Sequence, residues 1–550
     1  MVAESVSMDE ILDVAVVGGG VSGVYSAWRL MTCDPFRSRP VREMAAARAN
    51  GKLRITLFEG SDRIGGRLLS VTPPGMPHVR CELGGMRYMS SQQLVRSLVE
   101  NELKLKTHPM PVAEPENIAY LRGRRLRLRD LTDSDKVPYN VDWCERGKGP
   151  DDLIAFGIDQ VIPGVTALRG KELWNLLKSF EFQGRHVYDH GFWNLLAQSI
   201  SREAYQFAKQ AGGYDTTALN WNAADTIVLN FDFTPDVTFN GFQDGFEQVP
   251  LTLCDRFERA GGTVKLGWWL RSFDTAPLPD GRDGVKLVFH DANDDVERIV
   301  HARALILAMP RRSLELLDQT GAVLGPENEE VHALIRSVTP IPLFKAFVCY
   351  HHPWWEVVGV RQGRSVTDLP IRQCYYWAVE GRQEGADKKN QNAVLLATYD
   401  DTLNVDFWAG LRDTRREPPF APLPNPYAEA EPGSPDWHDY RAPATMVQEV
   451  QRQLAEMHGL RFVPEPYAAV YRDWGEDPYG GGVNFWNIHA KSWEVIPRIA
   501  RPKPHLPIYV CGEAYSNGQG WVEGALETAE LVLRDHFRLP PPAWVERDER

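Results

Sequence analysis

The sequence is poor in cysteine, and the cysteines it has are not grouped. Seven cysteines are spread over 550 residues, and no two of them form a C-x-x-C pair. This odd, scattered set favours neither a disulfide framework nor a metal cage, so we expect no metal site and reduced, cytoplasmic thiols. The amino terminus also lacks the basic segment and apolar core of a signal peptide. No apolar run approaches the about 18 residues of a membrane span, so we expect no membrane partner.

Long tracts of positive charge are also missing. The net charge is −13, and the one basic cluster is the short run Arg122–Arg129. This balance argues against nucleic acid as a partner, and the run itself is typical of a solvated strand. A chain of 550 residues is longer than one core usually supports, so we expect two or three domains.

What is present is glycine in ordered patterns, beginning near the amino terminus. Gly18, Gly20 and Gly23 follow an apolar run in the G-x-G-x-x-G spacing, and Ser22 lies at the start of a helix-like stretch. This arrangement places a dinucleotide pyrophosphate on a helix N-terminus. By itself the motif is weak evidence.

An acidic residue at the end of the next predicted strand supports this interpretation. Glu59 ends the apolar strand 54–59 and can accept hydrogen bonds from the hydroxyls of an adenosine ribose. The distance from the glycines exceeds the usual gap of about 20 residues. We interpret the Arg- and Pro-rich segment 32–52 as a surface insertion, either loop or helix.

Three further segments complete the pattern. Gly60, Gly66 and Arg67 follow the strand, and Arg67 can offer its guanidinium to a phosphate. The segment 82–88 reads Glu-Leu-Gly-Gly-Met-Arg-Tyr, and a second glycine-rich motif spans 510–529. Together these motifs resemble the flavin-containing amine oxidase superfamily, in particular its L-amino acid oxidase branch. The resemblance covers about 11–535 and is thin between 100 and 240.

The resemblance implies FAD as the cofactor. Monoamine oxidases have a cysteine bonded to the flavin where this chain has Val483, so we expect FAD to be bound non-covalently. The residues assigned to FAD are Gly18, Gly20, Ser22, Gly23, Glu59, Gly60, Gly66, Arg67, Gly84, Gly85, Met86, Arg87, Leu270, Trp474, Gly512, Glu513, Gly520, Trp521 and Val522.

The expected fold class is α/β, or α+β over the whole chain. A Rossmann-like, discontinuous FAD-binding domain is predicted at 11–90, 239–337 and 466–538, and a mixed-sheet substrate-binding domain at 91–144 and 338–465. Helix-like apolar spacing predicts a helical subdomain at 145–238. The composition of 416–435 indicates a loop, and the proline-rich tail 539–550 is predicted to leave the fold as a semi-extended arm.

The resemblance also assigns the substrate site. Arg87 matches the arginine that binds the substrate carboxylate, although an isolated arginine of this kind would more often form a surface ion pair. Tyr375 is the first choice for a tyrosine that shares the carboxylate. Strand alternation places Tyr375 and Trp377 on one face, where they could line the site or pack in the core.

Three more residues are assigned by resemblance. Lys345 matches a lysine that holds a water near flavin N5, and we favour this role over the competing explanation of an edge-strand or snorkelling lysine. The carbonyl of Gly520 matches the group that receives the substrate amine, and Trp521 forms one wall. The expected catalytic set is therefore Lys345, Arg87 and Tyr375, with Trp377, Gly520 and Trp521 in substrate binding.

The implied reaction is the oxidation of an L-amino acid by O2 to a 2-oxo acid, ammonia and hydrogen peroxide. Two alternatives remain: a 2-monooxygenase giving an amide and CO2, and a non-catalytic flavoprotein. Aromatic residues around the site favour large neutral side chains, while Asp225 and Asp232 are possible partners for basic ones. Members of the family are often dimers, so we expect a homodimer.

Overall fold

The structure is a computed structural model that describes residues 11–48, 51–233, 237–278, 281–412 and 435–545. Two large sheets and a layer of helices make up most of these residues. The predicted loop 416–435 lies outside them, except for Pro435, which begins the helix Pro435–Asp439. Among the described residues, no helix combines the length and the apolarity that crossing a membrane requires.

The first sheet has a parallel centre. Leu12–Val17 lies between two parallel neighbours, Ile55–Glu59 and Val296–Leu307. Thr263–Leu266 extends the sheet at one edge, and Ile508–Val510 also pairs in parallel with Val296–Leu307. On the other side the sheet continues antiparallel through the strands Asp283–Asp291 and Trp268–Pro277.

The central strand is apolar because both of its faces are covered. All six residues of Leu12–Val17 are buried, as expected for a parallel strand between two layers. One face packs against the helices Val21–Met31, Gln248–Arg259 and Val522–Asp535. The other face packs against the helices Arg311–Glu315, Gly321–Leu324, Glu329–Ile335 and Ser492–Ile499.

The second sheet is mixed. Its strands in spatial order are Ala468–Asp473, Leu343–Tyr350, Ala393–Asp401, Gln373–Val379, Arg364–Thr367, Ile118–Leu121 and Arg124–Arg127. One pair, Arg364–Thr367 with Ile118–Leu121, is parallel and the others are antiparallel. The helix Ala444–His458 covers one face. The strand Ala468–Asp473 lies in this sheet, although the predicted division assigns it to the FAD-binding domain.

A helical layer fills the middle of the chain. Its apolar faces share one core, and its main helices are Pro150–Val161, Gly170–Ser179, Phe192–Ser199, Arg202–Gly212 and Ala223–Phe231. With the two sheets, this layer confirms the predicted fold class, while the exact domain bounds stay a prediction.

Shorter elements connect these layers. The helices are Pro35–Arg37, Arg39–Ala46, Gln93–Ser97, Leu98–Leu103, Leu128–Asp130, Val165–Ala167, Val187–Asp189, Thr216–Ala218, Trp354–Val358, Glu380–Arg382, Leu403–Ala409 and Glu513–Tyr515. The strands are Ser70–Val71, Cys81–Glu82, Tyr88–Met89, Thr107–Pro109, Glu181–Phe182, Arg185–His186, Phe239–Phe242, Val338–Ile341 and Val483–Trp486.

The start of the carboxy-terminal tail does not leave the fold. Leu539 is buried, and the ring of Trp544 stands edge-on to Tyr25 at 6.3 Å. Arg29 donates to the carbonyl oxygen of Pro540 at 2.9 Å. The prediction of a free arm is therefore wrong for 539–545, because Trp544 packs against the helix Val21–Met31 and holds this segment on the fold. Residues 546–550 lie outside the described residues.

Candidate active site

A cavity of about 480 Å³ runs from the carboxyl ends of the parallel strands to the second sheet. Ligands of α/β sheets bind at this edge. All but one of the residues assigned to FAD line it: Gly18, Gly20, Ser22, Glu59, Gly60, Gly66, Arg67, Gly84, Gly85, Met86, Arg87, Leu270, Trp474, Gly512, Glu513, Gly520, Trp521 and Val522. The exception is Gly23.

Each glycine of the first motif is required for a different structural reason. Gly18 has φ +113°, and a Cβ there would lie 2.3 Å from the carbonyl oxygen of Ala308. A Cβ on Gly23 would lie 2.0 Å from the carbonyl oxygen of Gly18, which explains why Gly23 supports the turn without lining the cavity. Gly20 faces Gly66, and its Cβ position lies 3.8 Å from the Gly66 Cα, an ordinary van der Waals distance.

Glu59 is held in place at the opposite end of this turn. Its carboxylate accepts from the backbone N–H of Gly19 at 2.6 Å and from the N–H and hydroxyl of Ser61 at 2.8 Å. The strand Trp268–Pro277 follows Thr263–Leu266, which pairs with the strand that ends at Glu59. Its residues Trp268, Trp269 and Arg271 line the cavity together with Leu270. Sequence reasoning found Leu270 and missed these three.

These features fit FAD. The helix Val21–Met31 begins at Gly20 without a side-chain cap, so its first N–H groups are available to an anion. Gly20 and Gly66 leave room where a pyrophosphate must approach the backbone. The same cavity is lined by Trp268 and Trp269 of the first sheet and by Lys345 and Tyr399 of the second, so one ligand can contact both sheets.

Glu513 joins distant segments beside the cavity. Its carboxylate lies 2.8 Å from the Arg67 guanidinium and accepts from both the N–H and the side chain of Asn484. It also accepts from the N–H of Gly520 at 2.8 Å. Arg67 therefore pairs with Glu513 and with the carbonyl of Gly482 instead of presenting an unpaired guanidinium to a phosphate.

Arg87 is a buried cation without a counter-charge. It is 8 % exposed, and no carboxylate of the described residues contacts its guanidinium. The guanidinium lies over the ring of Phe239 at 4.2 Å and donates to the Tyr375 hydroxyl at 3.4 Å. Burial lowers the pKa of Arg87, but neighbouring tyrosines outweigh this and raise it, so the charge is permanent.

The two aromatic residues predicted to line the site lie on the strand Gln373–Val379. Tyr375 and Trp377 do share a face, and Tyr376 packs on the other. Neither Tyr375 nor Trp377, however, is among the described residues that line the cavity. The Tyr375 hydroxyl accepts from the Arg87 guanidinium at 3.4 Å, while Trp377 donates to the carbonyl of Arg80 and stands edge-on to Phe347. The structure therefore does not place Trp377 in the substrate site.

Lys345 reaches the cavity from the second sheet. It is 2 % exposed, and its ammonium donates to the backbone carbonyls of Glu82 and Gly84. Burial lowers its pKa, while the Glu82 carboxyl opposes this. Burial raises the pKa of Glu82 in turn, against hydrogen bonds from Ser70 and the N–H of Phe246. A simple edge-strand lysine is therefore wrong, since Leu343–Tyr350 has neighbours on both sides.

The model of one protein family, described as flavin containing amine oxidoreductase, matches residues 21–532. The chain belongs to this family. It is therefore a flavin-dependent oxidoreductase, and FAD is its cofactor. This confirms the membership that the motifs predicted.

Relatives and solved structures agree with the membership. Aplysianin-A from Aplysia kurodai is 28% identical over 562 residues, covering 96% of this chain and 91% of that protein. An L-amino-acid oxidase from Mus musculus is 21% identical, covering 94% of this chain and 69% of that one. A structure of putrescine oxidase bound to putrescine has a TM-score of 0.61 at 17% identity, covering 95% of this chain and 98% of that one. The last likeness shows the fold.

In this flavin amine oxidoreductase, a row of aromatic rings extends from Arg87 to Trp521. Phe239, which lies under Arg87, is 6.4 Å from Phe233, and Phe233 is 6.2 Å from Trp521. Val483 also lines the cavity, with its Cγ1 3.5 Å from the Cβ position of Gly520. Valine has no nucleophile to bond to a flavin.

The two predicted acidic partners differ in position. Neither Asp225 nor Asp232 is among the described cavity-lining residues, but Asp232 is adjacent in sequence to Phe233, which is. Burial raises the pKa of Asp225 to about 7 and that of Asp232 to about 6. The basic-substrate alternative thus depends on Asp232 more than on Asp225.

Several residues of the oxidoreductase site were missed by sequence reasoning. Tyr399 lies directly opposite Lys345 in the sheet, a pairing that strand register could have suggested. Tyr214, Thr216 and Thr217 come from the helical layer, where no motif marks them. Leu229 and Phe233 extend the same layer into the cavity.

Proposed function

We propose that this enzyme oxidises L-amino acids to 2-oxo acids and ammonia, with O2 reduced to hydrogen peroxide. The overall reaction is L-amino acid, O2 and water giving 2-oxo acid, ammonia and hydrogen peroxide. The observation that carries the proposal is Arg87, a buried cation that lines the cavity and has no carboxylate partner within the part of the chain that the structure describes. Amines without a carboxylate would leave this charge unpaired.

The energetic argument is direct. A buried charge without a partner is costly, and an anionic ligand removes that cost. A guanidinium binds a carboxylate through two parallel hydrogen bonds, which fixes orientation as well as position. The Phe239 ring beneath Arg87 and the hydroxyl of Tyr375 limit the directions in which its donors can point.

The amine and the side chain have separate sites. Glu513 accepts from the N–H of Gly520, and the N–H of Trp521 donates to the carbonyl of Gly518 at 3.2 Å. These two bonds hold Gly520 from both sides, and its carbonyl is expected to receive the amine. The walls of Phe233, Trp521 and Leu229 support large neutral or aromatic side chains. Basic side chains are the second choice, since Asp232 follows Phe231 at the end of the same helix.

FAD supplies a two-electron acceptor for the Cα–H bond. The chain's own contribution is to hold the carboxylate on Arg87 and the amine on Gly520, which together fix the Cα. Lys345, with its ammonium tied to two carbonyls, is positioned to hold a water. Val483 supports non-covalent binding of the cofactor.

The test is anaerobic mixing of the FAD-loaded protein with L- and D-amino acids and with the matching amines, followed by flavin absorbance. We expect bleaching by L-amino acids, fastest with aromatic or large neutral ones. Bleaching by amines and not by amino acids would overturn the proposal. Aerobic product analysis then separates 2-oxo acid and peroxide from the amide and CO2 of a 2-monooxygenase.

A further inference from the structure

Lys345 binds the backbone of a turn that carries two charged side chains. Its ammonium donates to the carbonyl of Glu82 at 3.1 Å and to that of Gly84. Arg87 follows in the same segment and lines the cavity together with Lys345. The carboxyl group of Glu82 belongs to the residue whose carbonyl binds the ammonium, so it lies within one side-chain length of that charge.

The Glu82 carboxyl group is buried and has two donors of its own. One oxygen accepts from the Ser70 hydroxyl at 2.7 Å and the other from the N–H of Phe246 at 2.8 Å. Ser70 is also the direct partner of Glu82 in a short antiparallel pair of strands. Hydrogen bonds to both oxygens favour the ionised form of a carboxyl group. The arrangement therefore suits a buried carboxylate, which needs a cation nearby.

Lys345 is the cation that answers this carboxylate. Burial raises the pKa of Glu82, and the Lys345 ammonium lowers it. Burial in turn lowers the pKa of Lys345, while Glu82 raises it and Arg87 lowers it further. The lysine thus lies between a carboxylate that favours its charge and a guanidinium that opposes it.

Neither neighbour of Lys345 in the sheet carries a negative charge. Tyr399 is directly opposite on one neighbouring strand, and its ring lies 4.5 Å from the ammonium. Burial raises the pKa of Tyr399 above its usual range, so this phenol stays neutral. Arg472 is directly opposite on the other neighbouring strand and lies over the Trp474 ring at 4.9 Å. Among the residues that the structure describes, Glu82 is therefore the carboxylate that acts on Lys345.

The charge state decides how Lys345 faces the cavity. An ammonium has three N–H donors, and the two carbonyls of the turn take two of them, which leaves one donor for the cavity. A neutral amine has two N–H groups and a lone pair, so the same two bonds would leave only an acceptor. We propose that Glu82 is a positioning residue that keeps Lys345 an ammonium, and thus a donor toward the cavity, against the opposing charge of Arg87.

The task of this donor, holding a water at the flavin, rests on the proposed function, but the test of Glu82 needs no amino acid. The FAD-loaded enzyme is reduced photochemically and mixed with O2 in a stopped-flow instrument over a range of pH. If the ammonium supports the reaction with O2, the rate falls as the pH rises through the pKa of Lys345.

The variants change one charge at a time. They are Glu82→Gln, Glu82→Asp and Arg87→Met. Glu247→Gln is the matched control, because the Glu247 carboxylate accepts from the N–H of Ser70 at 3.0 Å and so contacts the same serine as Glu82.

We expect Glu82→Gln to move the midpoint of this pH profile down by about one unit or more, since the lost carboxylate no longer raises the pKa of Lys345. Arg87→Met, which removes the opposing cation, moves the midpoint up. Glu82→Asp keeps the charge and restores most of the wild-type midpoint. Glu247→Gln leaves the midpoint in place, because this carboxylate acts on Glu82 and not on Lys345.

A second measurement does not depend on oxygen. The Tm of the FAD-loaded enzyme is compared near neutral pH for the wild type, Glu82→Gln, Lys345→Met and the double variant. If the two groups form a pair, the double variant is more stable than the sum of the two single changes predicts, because neither charge is left buried alone.

The outcomes separate the inference from the proposed function. Additive changes in Tm overturn the inference. So does a midpoint that moves down in Arg87→Met, or one that is unchanged in folded, FAD-loaded Glu82→Gln while Lys345→Met slows the reaction with O2. If the midpoints move as expected while no L-amino acid bleaches the flavin, the inference stands and the proposed reaction falls.

Discussion

The Arg67 guanidinium lies 2.8 Å from the Glu513 carboxylate, joining the loop after the second strand of the first sheet to the carboxy-terminal motif. Asn484 and Gly520 are bound to the same carboxylate. One side chain therefore holds three segments around the flavin site. Both residues were expected to bind FAD, Arg67 through a phosphate, and the contact between them indicates a shared structural role.

We expect Glu513→Ala to lower the affinity for FAD about 10- to 100-fold, because Arg67 and the Gly520 loop lose their common partner. Glu513→Gln keeps one carbonyl oxygen that can accept from the N–H groups of Asn484 and Gly520, so it should lose less. The measurement is FAD retained after dialysis, followed by titration of the apoprotein. Equal retention in the alanine variant and the wild type would mean that the contact does not organise the cofactor site.

Gly18 and Gly20 give a matched pair of substitutions. Gly18→Ala is expected to destabilise the fold, because its Cβ would lie 2.3 Å from a backbone oxygen of Ala308 at φ +113°. Gly20→Ala is expected to fold, since its Cβ would meet no atom closer than 3.8 Å, but to bind FAD weakly because the methyl group occupies space for the pyrophosphate. Apoprotein Tm and FAD affinity separate the two effects. A drop in apoprotein Tm for Gly20→Ala would contradict this assignment.

Most of the cofactor site was predictable because its parts are local. Each glycine motif carries its own backbone geometry within a few residues, so Gly18, Glu59 and Arg87 could be placed without knowing the rest of the fold. Tyr214 could not, since its position depends on hydrogen bonds to Asp401, nearly 190 residues away. Trp377 shows the limit of strand alternation, which gives the face of a residue but not its distance along the strand from the cavity.

Lys345→Met is expected to slow reoxidation of the reduced enzyme by O2 about 10- to 100-fold, while anaerobic reduction by substrate changes less. The side chain keeps its length and loses its charge, so the variant removes the group assigned to the water without opening a cavity. Burial disfavours the ammonium, but its removal takes a donor away from the carbonyls of Glu82 and Gly84, so the two effects on the Tm oppose each other. Lys265→Met, on an exposed position, is the control in stopped-flow measurements. An unchanged oxygen rate would remove Lys345 from the reaction with oxygen.

Arg87→Met is expected to reduce kcat/KM for L-amino acids at least about 1,000-fold, whereas 2-phenylethylamine is oxidised as well as by the wild type or better. The amine gains because a buried, unpaired cation no longer repels its ammonium group. Arg87→Lys should recover only part of the loss, since a lysine cannot form the bidentate pair. Loss of both activities in parallel would indicate a structural role for Arg87 instead.

Asp225 gives a prediction on stability that is independent of substrate. One carboxylate oxygen is buried without a hydrogen-bond partner, and burial raises the pKa of this acid to about 7. In the unfolded chain this carboxyl has its ordinary pKa of about 3.9, so the folded state has its full stability below that pH and loses stability as the pH rises toward 7.

Asp225→Asn removes this loss of stability, which is at most about 4 kcal/mol. The Tm of the variant should exceed that of the wild type by a few degrees at pH 8, and the difference should shrink steadily toward pH 4. A difference that is constant between pH 5 and pH 8 would show that Asp225 is ionised throughout, and would return it to consideration as a partner for a basic side chain.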